Sequence, residues 1–257
     1  MRRNVKPAMP TNRVIIHQVP IQPQTPIKPQ PVHIPALNRN EFNPTGFNPL
    51  NSFFDKIYCI NLDKRKDRWA VCLQEFKKHN LKVERLPGVV GKIRPPKSDL
   101  SRGRLGCAYS HLGALKKAVQ HRYSRILVLE DDVQFVDDFT TKMQERMPHI
   151  PKDFDILYFG GNNPQIIESV NPYVYRIKNV LTLHAYAVTL SFARYMIPKI
   201  EPMEDAVDCI YRKYTPDFKC YIFMPYLATQ RPDYSDIEEQ FTDYGKVLNE
   251  EFKNIDL

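Results

Sequence analysis

The sequence predicts an α/β fold with a mixed, mostly parallel sheet flanked by helices. An unbroken aliphatic run at residues 126–129 is typical of a strand that is buried on both faces. A strand, a helix and a second strand follow one another within residues 56–86, which is the pattern of a βαβ unit with parallel strands. The chain has 257 residues and is 42% hydrophobic, which is enough for one sizeable core.

The first 53 residues differ in composition from the rest of the chain. They hold ten of the 22 prolines, with Gln and Lys between them, so they can neither complete a sheet nor bury much apolar surface. We therefore expect a disordered, Pro-rich tail over residues 1–53 and one domain over residues 54–257. The tail is either a passive linker or a segment that docks a partner through polyproline stretches.

Charge and cysteine usage narrow the class of protein. Residues 1–53 contain six basic residues and one acidic residue, so +5 of the net charge of +8 lies in the tail, and we do not expect a nucleic-acid partner. Five cysteines without a C-x-x-C pair favour free thiols in a reducing compartment. Since neither a signal peptide nor a transmembrane segment is recognisable, we expect a cytoplasmic protein, in the host cytoplasm if the chain is viral.

The first elements follow from local patterns. Residues 56–62 are rich in β-formers, Asp63 is a candidate cap for a helix over residues 63–78, and residues 82–86 form the next strand. The following segment, 88–106, is rich in Gly and in basic residues and is expected to be a loop that could close over a phosphate. A helix over residues 107–122 would place Ser110 and His111 in its first turn, where backbone N–H groups favour an anion.

Three carboxylates, Glu130, Asp131 and Asp132, come directly after the central strand at residues 125–129. A buried parallel strand ends at the sheet edge where open α/β folds bind their ligands. Crowded carboxylates raise one another's pKa unless a cation lies between them, and oxygen ligands suit Mg²⁺ or Mn²⁺. The alternative is that Asp131 or Asp132 caps a following helix.

The second half of the chain adds strands and helices in a less regular order. We expect the following elements: a helix at 137–147, a strand at 154–159 running into a Gly-Gly turn, antiparallel strands at 174–178 and 183–190, helices at 191–200 and 205–214, a strand at 219–224, and a final helix opened by a capping box at 235–238. In the second of these helices, Asp205 and Asp208 would share one face near the start. The alternative is that both merely complement the helix dipole.

Several of these stretches together resemble glycosyltransferase family 25, which includes bacterial lipopolysaccharide galactosyltransferases, collagen galactosyltransferases and relatives in large DNA viruses. The resemblance spans about residues 54–240 and rests on motifs that occur in the same order. The matching stretches are Tyr58-Cys59-Ile60-Asn61-Leu62-Asp63 with Arg65 and Arg68, then Gly103-Arg104-Leu105-Gly106-Cys107-Ala108-Tyr109-Ser110-His111, Leu127-Val128-Leu129-Glu130-Asp131-Asp132, His184-Ala185-Tyr186, Val207-Asp208, Gln230 and Ser235-Asp236-Ile237.

The resemblance implies a GT-A type fold, a UDP-sugar donor and usually Mn²⁺, with Mg²⁺ as the alternative ion. It makes Glu130 and Asp132 the expected metal ligands, with Glu130 acting directly or through water. The donor-binding residues that we expect are Asn61, Arg65, Arg68, Arg104, Ser110, His111 and Asp131. Arg65, Arg68 and Arg104 would contact the diphosphate, unless they are surface charges.

The function implied is a metal-dependent, inverting transfer of galactose or glucose from a UDP-sugar to a glycan or a hydroxylated protein. Inversion requires a carboxylate that takes the acceptor's proton. Asp208 is the candidate because it matches a family position, with Asp205 and Asp236 in reserve. The alternatives are an inactive glycan- or protein-binding module with the same fold and, less favoured, a metal-dependent phosphohydrolase.

Overall fold

The structure, a computed structural model, describes residues 47–92, 95, 98–235, 237 and 240–243. The predicted tail therefore lies almost wholly outside the described residues. Within these ranges, no helix is both long enough and apolar enough to cross a lipid bilayer.

Helices and short strands follow one another in an irregular order along the described chain. The α-helices among the described residues are α1 (Leu50–Phe53), α2 (Lys66–Lys78), α3 (Arg102–His121), α4 (Phe139–Arg146), α5 (Leu190–Ile200) and α6 (Val207–Tyr214). The strands among them are β1 (Lys56–Asn61), β2 (Glu84–Pro87), β3 (Arg125–Glu130), β4 (Val133–Phe135), β5 (Ile156–Tyr158), β6 (Ile166–Asn171), β7 (Val174–Ile177), β8 (Ala185–Thr189), β9 (Cys220–Phe223), β10 (Ala228–Gln230), β11 (Asp233–Ser235) and β12 (Gln240–Thr242).

Eight strands form the main sheet in the order β2-β1-β3-β8-β5-β9-β7-β6. The pairs β1–β2, β1–β3 and β5–β9 are parallel, whereas β8 and β7 are antiparallel to each of their neighbours. Six of the eight strands thus run in one direction, so the prediction of a mixed, mostly parallel sheet is confirmed. Strands β4 and β10 form a separate antiparallel pair, and so do β11 and β12.

The sheet is covered by helices on both faces. Along β3, Ile126 and Val128 pack into the core cluster that contains residues of α3, α5 and α6. Leu127 and Leu129 point the other way, into the cluster that contains residues of α1, α2 and α4. All four are fully buried, so the aliphatic run forms the doubly buried strand that the sequence predicts.

Helix α2 begins later than predicted and turns a different face inward. Its N-cap is Arg65 rather than Asp63, whose carboxylate instead accepts a hydrogen bond from Arg85 Nη2 at 2.7 Å. Cys72 and Phe76 are buried, whereas Leu73 is 49% exposed. The spacing of Trp69, Leu73 and Phe76 in the sequence predicts that these three share the apolar face. For Leu73 this prediction was wrong, because the Cys72 thiol takes its place in the core.

Helix α3 begins five residues earlier than predicted, at Arg102, and is capped by Ser101, whose hydroxyl accepts the Arg104 N–H. Ser110 and His111 consequently lie in the interior of the helix, where their backbone N–H groups are not free for an anion. The glycines that suggested a loop permit close packing instead. A Cβ at Gly106 would lie 2.4 Å from the Val89 carbonyl oxygen.

The structure excludes one alternative and corrects two further expectations about local structure. The carboxylate triplet leads into strand β4, so it does not cap a helix. Helix α6 begins at Val207 with Ala206 as its N-cap, so Asp208 lies in its first turn and Asp205 lies outside the helix. Ser235 ends strand β11 and pairs with Gln240 in β12, so it does not open a helix, and the part of the predicted final helix beyond residue 243 lies outside the described residues.

Residues 47–53, which the composition assigns to the tail, are part of the packed structure. Leu50 is fully buried in the same cluster as Phe76. Asn48 is also fully buried, and its amide donates to the His79 carbonyl at 2.9 Å. The packed region therefore starts several residues before residue 54.

Candidate functional site

A pocket of about 520 Å³ opens at the edge of the main sheet where β1 and β3 end. Because β8 is antiparallel to β3, the residues that precede β8 arrive at the same edge. The wall of the pocket includes Lys64 and Arg68, residues 88–91, the first turns of α3, the triplet 130–132, residues 181–183, residues 205–209 and parts of the segment 230–242. The sheet edge predicted to carry the ligand thus carries the pocket.

The triplet is held in shape by its neighbours in β10 and beyond. Gln230 pairs with Val133, and the Arg231 N–H donates to the Asp132 carbonyl oxygen at 2.7 Å. The Arg231 guanidinium also donates to the carbonyl oxygens of Val133 and Asp131. These contacts are made to the backbone of the turn that carries the carboxylates. They fix the turn without occupying the three carboxylate groups.

Asp131 lines the pocket, but it is only 7% exposed and its carboxylate is tied to neighbouring side chains. Its carboxylate accepts hydrogen bonds from Asn61 Nδ2 at 2.7 Å and from Arg68 Nη1 at 2.8 Å. Burial raises the pKa of Asp131, and the charge of Arg68 partly offsets this rise. Asn61 itself is buried and does not line the pocket, so it and Asp131 support the turn.

Asp132 presents the least satisfied carboxylate in the pocket. Its Oδ1 is buried and has no hydrogen-bond partner among the described residues, while Oδ2 lies 3.5 Å from both Arg68 Nη1 and Gln230 Nε2. Burial raises the pKa of Asp132 to about 7, and the negative charge of Glu130 adds to this effect. Gln230 Oε1 is a second buried oxygen in the pocket wall without a partner in the described part of the chain.

Glu130 is paired with a histidine. His111 Nε2 lies 2.9 Å from Glu130 Oε1, and His111 Nδ1 lies 2.9 Å from the Tyr186 hydroxyl. Burial opposes the charge of Glu130, but the hydrogen bond with His111 and the attraction of nearby basic groups together outweigh it and lower the pKa of the carboxyl group. Both ring nitrogens of His111 are engaged, so the structure gives His111 the role of holding Glu130.

The predicted arginines do not form one group. The charges of Asp132 and Asp131 raise the pKa of Arg68 despite its burial, and its Nε donates to Asp233 at 2.9 Å. Arg65 also donates to Asp233, at 3.1 Å, and does not line the pocket. These two arginines fasten strand β11 beside the triplet. Arg104 is exposed and lines the pocket, where a ligand can reach it.

Ser110 lines the pocket, but its hydroxyl is used for structure. It accepts the Val89 N–H at 2.8 Å and donates to the Gly106 carbonyl at 2.6 Å. Its bonds join the loop after β2 to helix α3, and we assign Ser110 to positioning this loop.

The three candidates for the base differ in placement. Asp208 lines the pocket, and its carboxylate accepts the Cys209 N–H at 3.0 Å and the Thr182 N–H at 3.4 Å. Asp205 also lines the pocket and is exposed. Asp236 lies outside the described residues.

Two residues of the site were not predicted as such. The sequence places Gln230 in a family motif without indicating a role, and it does not single out Arg231. Both reach the triplet because β10 pairs with β4 almost 100 residues earlier in the chain. A short polar pair at the end of an apolar strand was the only local signal for them.

Comparison with known families adds an independent line of argument. Residues 54–211, which are more than half of the chain, match the model described as Glycosyltransferase family 25 (LPS biosynthesis protein). That match includes β1, the whole of α3, the carboxylate triplet and Asp208, and it ends before Gln230.

Individual relatives are distant. The chain is 27% identical over 197 residues to procollagen galactosyltransferase 2 of Mus musculus, and the aligned segment covers 63% of this chain and 31% of the relative. It is 28% identical over 180 residues to inactive glycosyltransferase 25 family member 3 of Homo sapiens, covering 58% of this chain and 29% of the relative. The chain thus spans about a third of the length of the curated relatives that it matches.

A solved structure of a glycosyltransferase involved in the glycosylation of the major capsid of PBCV-1 is 10% identical, covering 68% of this chain and 92% of that chain with a TM-score of 0.44. A similarity at this level is too weak to assign a function. The motifs in their order and the family match over residues 54–211 carry the assignment. The chain belongs to glycosyltransferase family 25.

Proposed function

We propose that this protein is a metal-dependent, inverting hexosyltransferase. It would transfer galactose, or as second choice glucose, from a UDP-sugar to a glycan or a hydroxylated protein. Family membership supports the reaction class, and the name of the procollagen galactosyltransferase relative supports galactose and a protein acceptor. The observation that carries the proposal is the buried, unpartnered oxygen of Asp132 in the pocket, next to the ionised Glu130.

The donor atoms around Asp132 suit a hard divalent cation. Asp132 Oδ1, a Glu130 oxygen and Gln230 Oε1 are oxygen ligands of the kind that Mn²⁺ and Mg²⁺ prefer. Two of these atoms are buried without a partner among the described residues, which is unfavourable unless a ligand satisfies them. When bound, the cation would supply Lewis-acid neutralisation of the charge that develops on the leaving diphosphate.

The remaining parts of the pocket would bind and orient the donor. Lys64, Arg102 and Arg104 line the pocket and carry the positive charge that a diphosphate requires. Arg68 is engaged with three carboxylates, so we assign it to holding the triplet rather than to the phosphates. Preorganised charge of this kind lowers the barrier because it needs no rearrangement during the reaction.

Asp208 is our candidate for the residue that removes the proton from the acceptor hydroxyl. Two backbone N–H groups fix the orientation of its carboxylate at the pocket wall. The acceptor's hydroxyl oxygen would attack the anomeric carbon of the sugar, and its proton would pass to an oxygen of the Asp208 carboxylate. Asp205 and Asp236 stay as reserve candidates for the same role.

Thermal unfolding of the full chain with Mn²⁺ and UDP, together and separately, tests donor binding directly. A ligand at about 100 times its Kd stabilises the native state by about 2.7 kcal/mol, which is about 5–10 °C for a domain of this size. We expect this shift only with both ligands present. A folded protein that shows no shift would contradict the proposal, and a panel of UDP-sugars assayed for UDP release would identify the hexose.

A second candidate is an inactive module that keeps the fold and binds glycan or protein. The similarity to an inactive family member of Homo sapiens favours it. The two candidates separate in one assay, since an inactive module releases no UDP from any sugar nucleotide with Mn²⁺ even if it binds UDP.

A further inference from the structure

The pocket wall contains a second group of potential metal ligands, which differs in chemistry from the oxygens around Asp132. The Cys107 thiol, a ring nitrogen of His111 and a Glu130 oxygen all lie within 4.8 Å of one another. All three residues line the pocket, so an ion from solvent can reach them.

The local fold explains why these atoms converge. Cys107 and His111 are four residues apart on α3 and therefore project from the same face of the helix. Glu130 ends β3, and its backbone N–H donates to the His184 carbonyl at 2.9 Å, which fixes where the side chain starts. Spacing of two ligands by one helical turn with a third from another element is common in metal sites.

A hydrogen bond with Tyr186 already orients the imidazole. The Tyr186 hydroxyl contacts His111 Nδ1, so Nε2 is the nitrogen that faces Glu130. Tyr186 is fully buried, as is nearly all of His111, which restricts rotation of the ring. Histidine ligands of metal ions usually make such a contact through the nitrogen that does not bind the ion.

We propose that Cys107, His111 and Glu130 form a binding site for a thiophilic divalent cation of the Zn²⁺ type. Sulfur, imidazole nitrogen and carboxylate oxygen are the ligands that Zn²⁺ takes in proteins, with a fourth position open to water from the pocket. On binding, the thiol gives up its proton to solvent, and the imidazole binds the ion through Nε2 as the neutral tautomer that carries its one proton on Nδ1. The Tyr186 hydroxyl then accepts this Nδ1–H, because a hydroxyl both donates and accepts.

The two sites share Glu130. An ion held by Cys107 and His111 would draw this carboxylate away from Asp132, so Zn²⁺ and Mn²⁺ should compete. That competition rests on the proposed function, whereas the existence of the thiophilic site does not.

The test uses the full chain without a metal-affinity tag, and neither Mn²⁺ nor nucleotide is present. Co²⁺ is added as a spectroscopic probe and is then displaced by Zn²⁺ in competition with a chromophoric chelator. The variant is Cys107→Ser, and the matched control is Cys209→Ser, since Cys209 is another partly buried cysteine of the pocket wall outside the cluster.

We expect the unmodified chain and Cys209→Ser to show a near-ultraviolet thiolate-to-cobalt band. Cys107→Ser should lack the band and bind Zn²⁺ at least about tenfold more weakly. The proposal is overturned if the unmodified chain shows no band, if the band persists in Cys107→Ser, or if it disappears in Cys209→Ser. Because no sugar nucleotide is involved, a chain that binds Zn²⁺ in this way but releases no UDP would refute only the proposed function.

Discussion

At the scale of single residues, the decisive feature is a carboxyl group whose protonation changes near neutrality. Burial first, and the neighbouring Glu130 second, raise the pKa of Asp132 to about 7. Glu130 stays ionised, because the hydrogen bond with His111 and the nearby basic groups together lower its pKa despite its burial. The two acidic groups of the proposed cation site therefore respond differently to pH.

The pH dependence of Mn²⁺ binding follows from this difference. A carboxylate must lose its proton to bind a metal, so the apparent Mn²⁺ affinity should fall about tenfold per unit of pH below about 7. Calorimetric titration between about pH 5.5 and pH 8.5 would measure this. The Asp132→Asn variant is the control and should bind weakly at every pH. An affinity that is constant across this range in the unmodified chain would contradict the assignment.

Asp132→Asn should also change stability in the absence of metal. A carboxyl group whose folded pKa lies above its unfolded value contributes stability that is present at low pH and is lost as pH rises through the folded pKa. For Asp132 the loss occurs between about pH 4 and pH 7. The variant should therefore unfold at a higher temperature than the unmodified chain at about pH 8, with a smaller difference at about pH 5. UDP release should be abolished in Asp132→Asn. If the variant is no more stable than the unmodified chain at the higher pH, Asp132 is not a buried charge.

Asp208→Asn separates proton removal from donor binding. The amide keeps the size of the carboxylate and can still accept the Cys209 N–H, but it is a much weaker base. We expect kcat to fall by about 10²–10⁴ while the thermal shift with Mn²⁺ and UDP persists. Asp205→Asn is the matched control at the same pocket wall. An unchanged kcat in Asp208→Asn would contradict its role as the base and would favour one of the reserve carboxylates.

Part of this site could be predicted from the sequence. Acidic residues that directly follow a buried strand must lie at the edge of the sheet, so the position of Glu130 and Asp132 was confirmed. The use of Arg68 was not predictable, because its partner Asp233 is 165 residues away in the chain. The different roles of Asp131 and Asp132 also depend on contacts across the fold. Asp131 is hydrogen-bonded to Asn61 and Arg68, which are distant in the chain.

At the scale of elements, helix α3 is where sequence and structure differ most. Glycines are poor helix formers, so Gly103 and Gly106 were interpreted as parts of a loop. The structure retains the helix through them because the Val89 and Gly91 backbone lies against it, leaving no space for a Cβ at Gly106. Packing against residues outside the helix therefore outweighs the low helix propensity of glycine. This packing cannot be detected from the sequence of the segment alone.

Two glycines of α3 provide a matched pair of substitutions. Gly106→Ala places a Cβ 2.4 Å from the Val89 carbonyl oxygen, so it should lower the free energy of unfolding by about 1–3 kcal/mol. It should also weaken UDP binding, since residues 88–91 line the pocket. Gly113→Ala meets no atom within 4 Å and should raise the free energy of unfolding by about 1 kcal/mol. Urea unfolding measures both changes, and a neutral Gly106→Ala would refute the close packing.

At the scale of the whole molecule, the strand order could not be obtained from local patterns. The βαβ unit predicted that β1 and β2 are parallel, and this was confirmed. Nothing local indicates that β8 lies between β3 and β5, because strand pairing depends on side chains that meet only in the finished sheet. The antiparallel orientation of β7 and β8 was predicted, whereas the central position of β8 was not.

The start of the packed region can be tested with two truncated chains. The chain that begins at residue 47 keeps Asn48 and Leu50, and we expect its free energy of unfolding to match that of the full chain. The chain that begins at residue 54 loses a fully buried leucine and the hydrogen bond to His79, which should destabilise it by about 2–5 kcal/mol. Urea unfolding compares them, and equal stability of the two would place the boundary at residue 54 after all.

The central position of β8 also bears on how the protein is made on the ribosome. When residues up to about 150 have emerged, β3 has β1 on one side and an open edge on the other, since β8 begins only at Ala185. A nascent chain at that point offers an apolar strand to any other strand nearby, which is a route to aggregation. Synthesis must continue through β9 at residue 223 before the middle of the sheet is complete, so we expect folding to be late and chaperones to assist it.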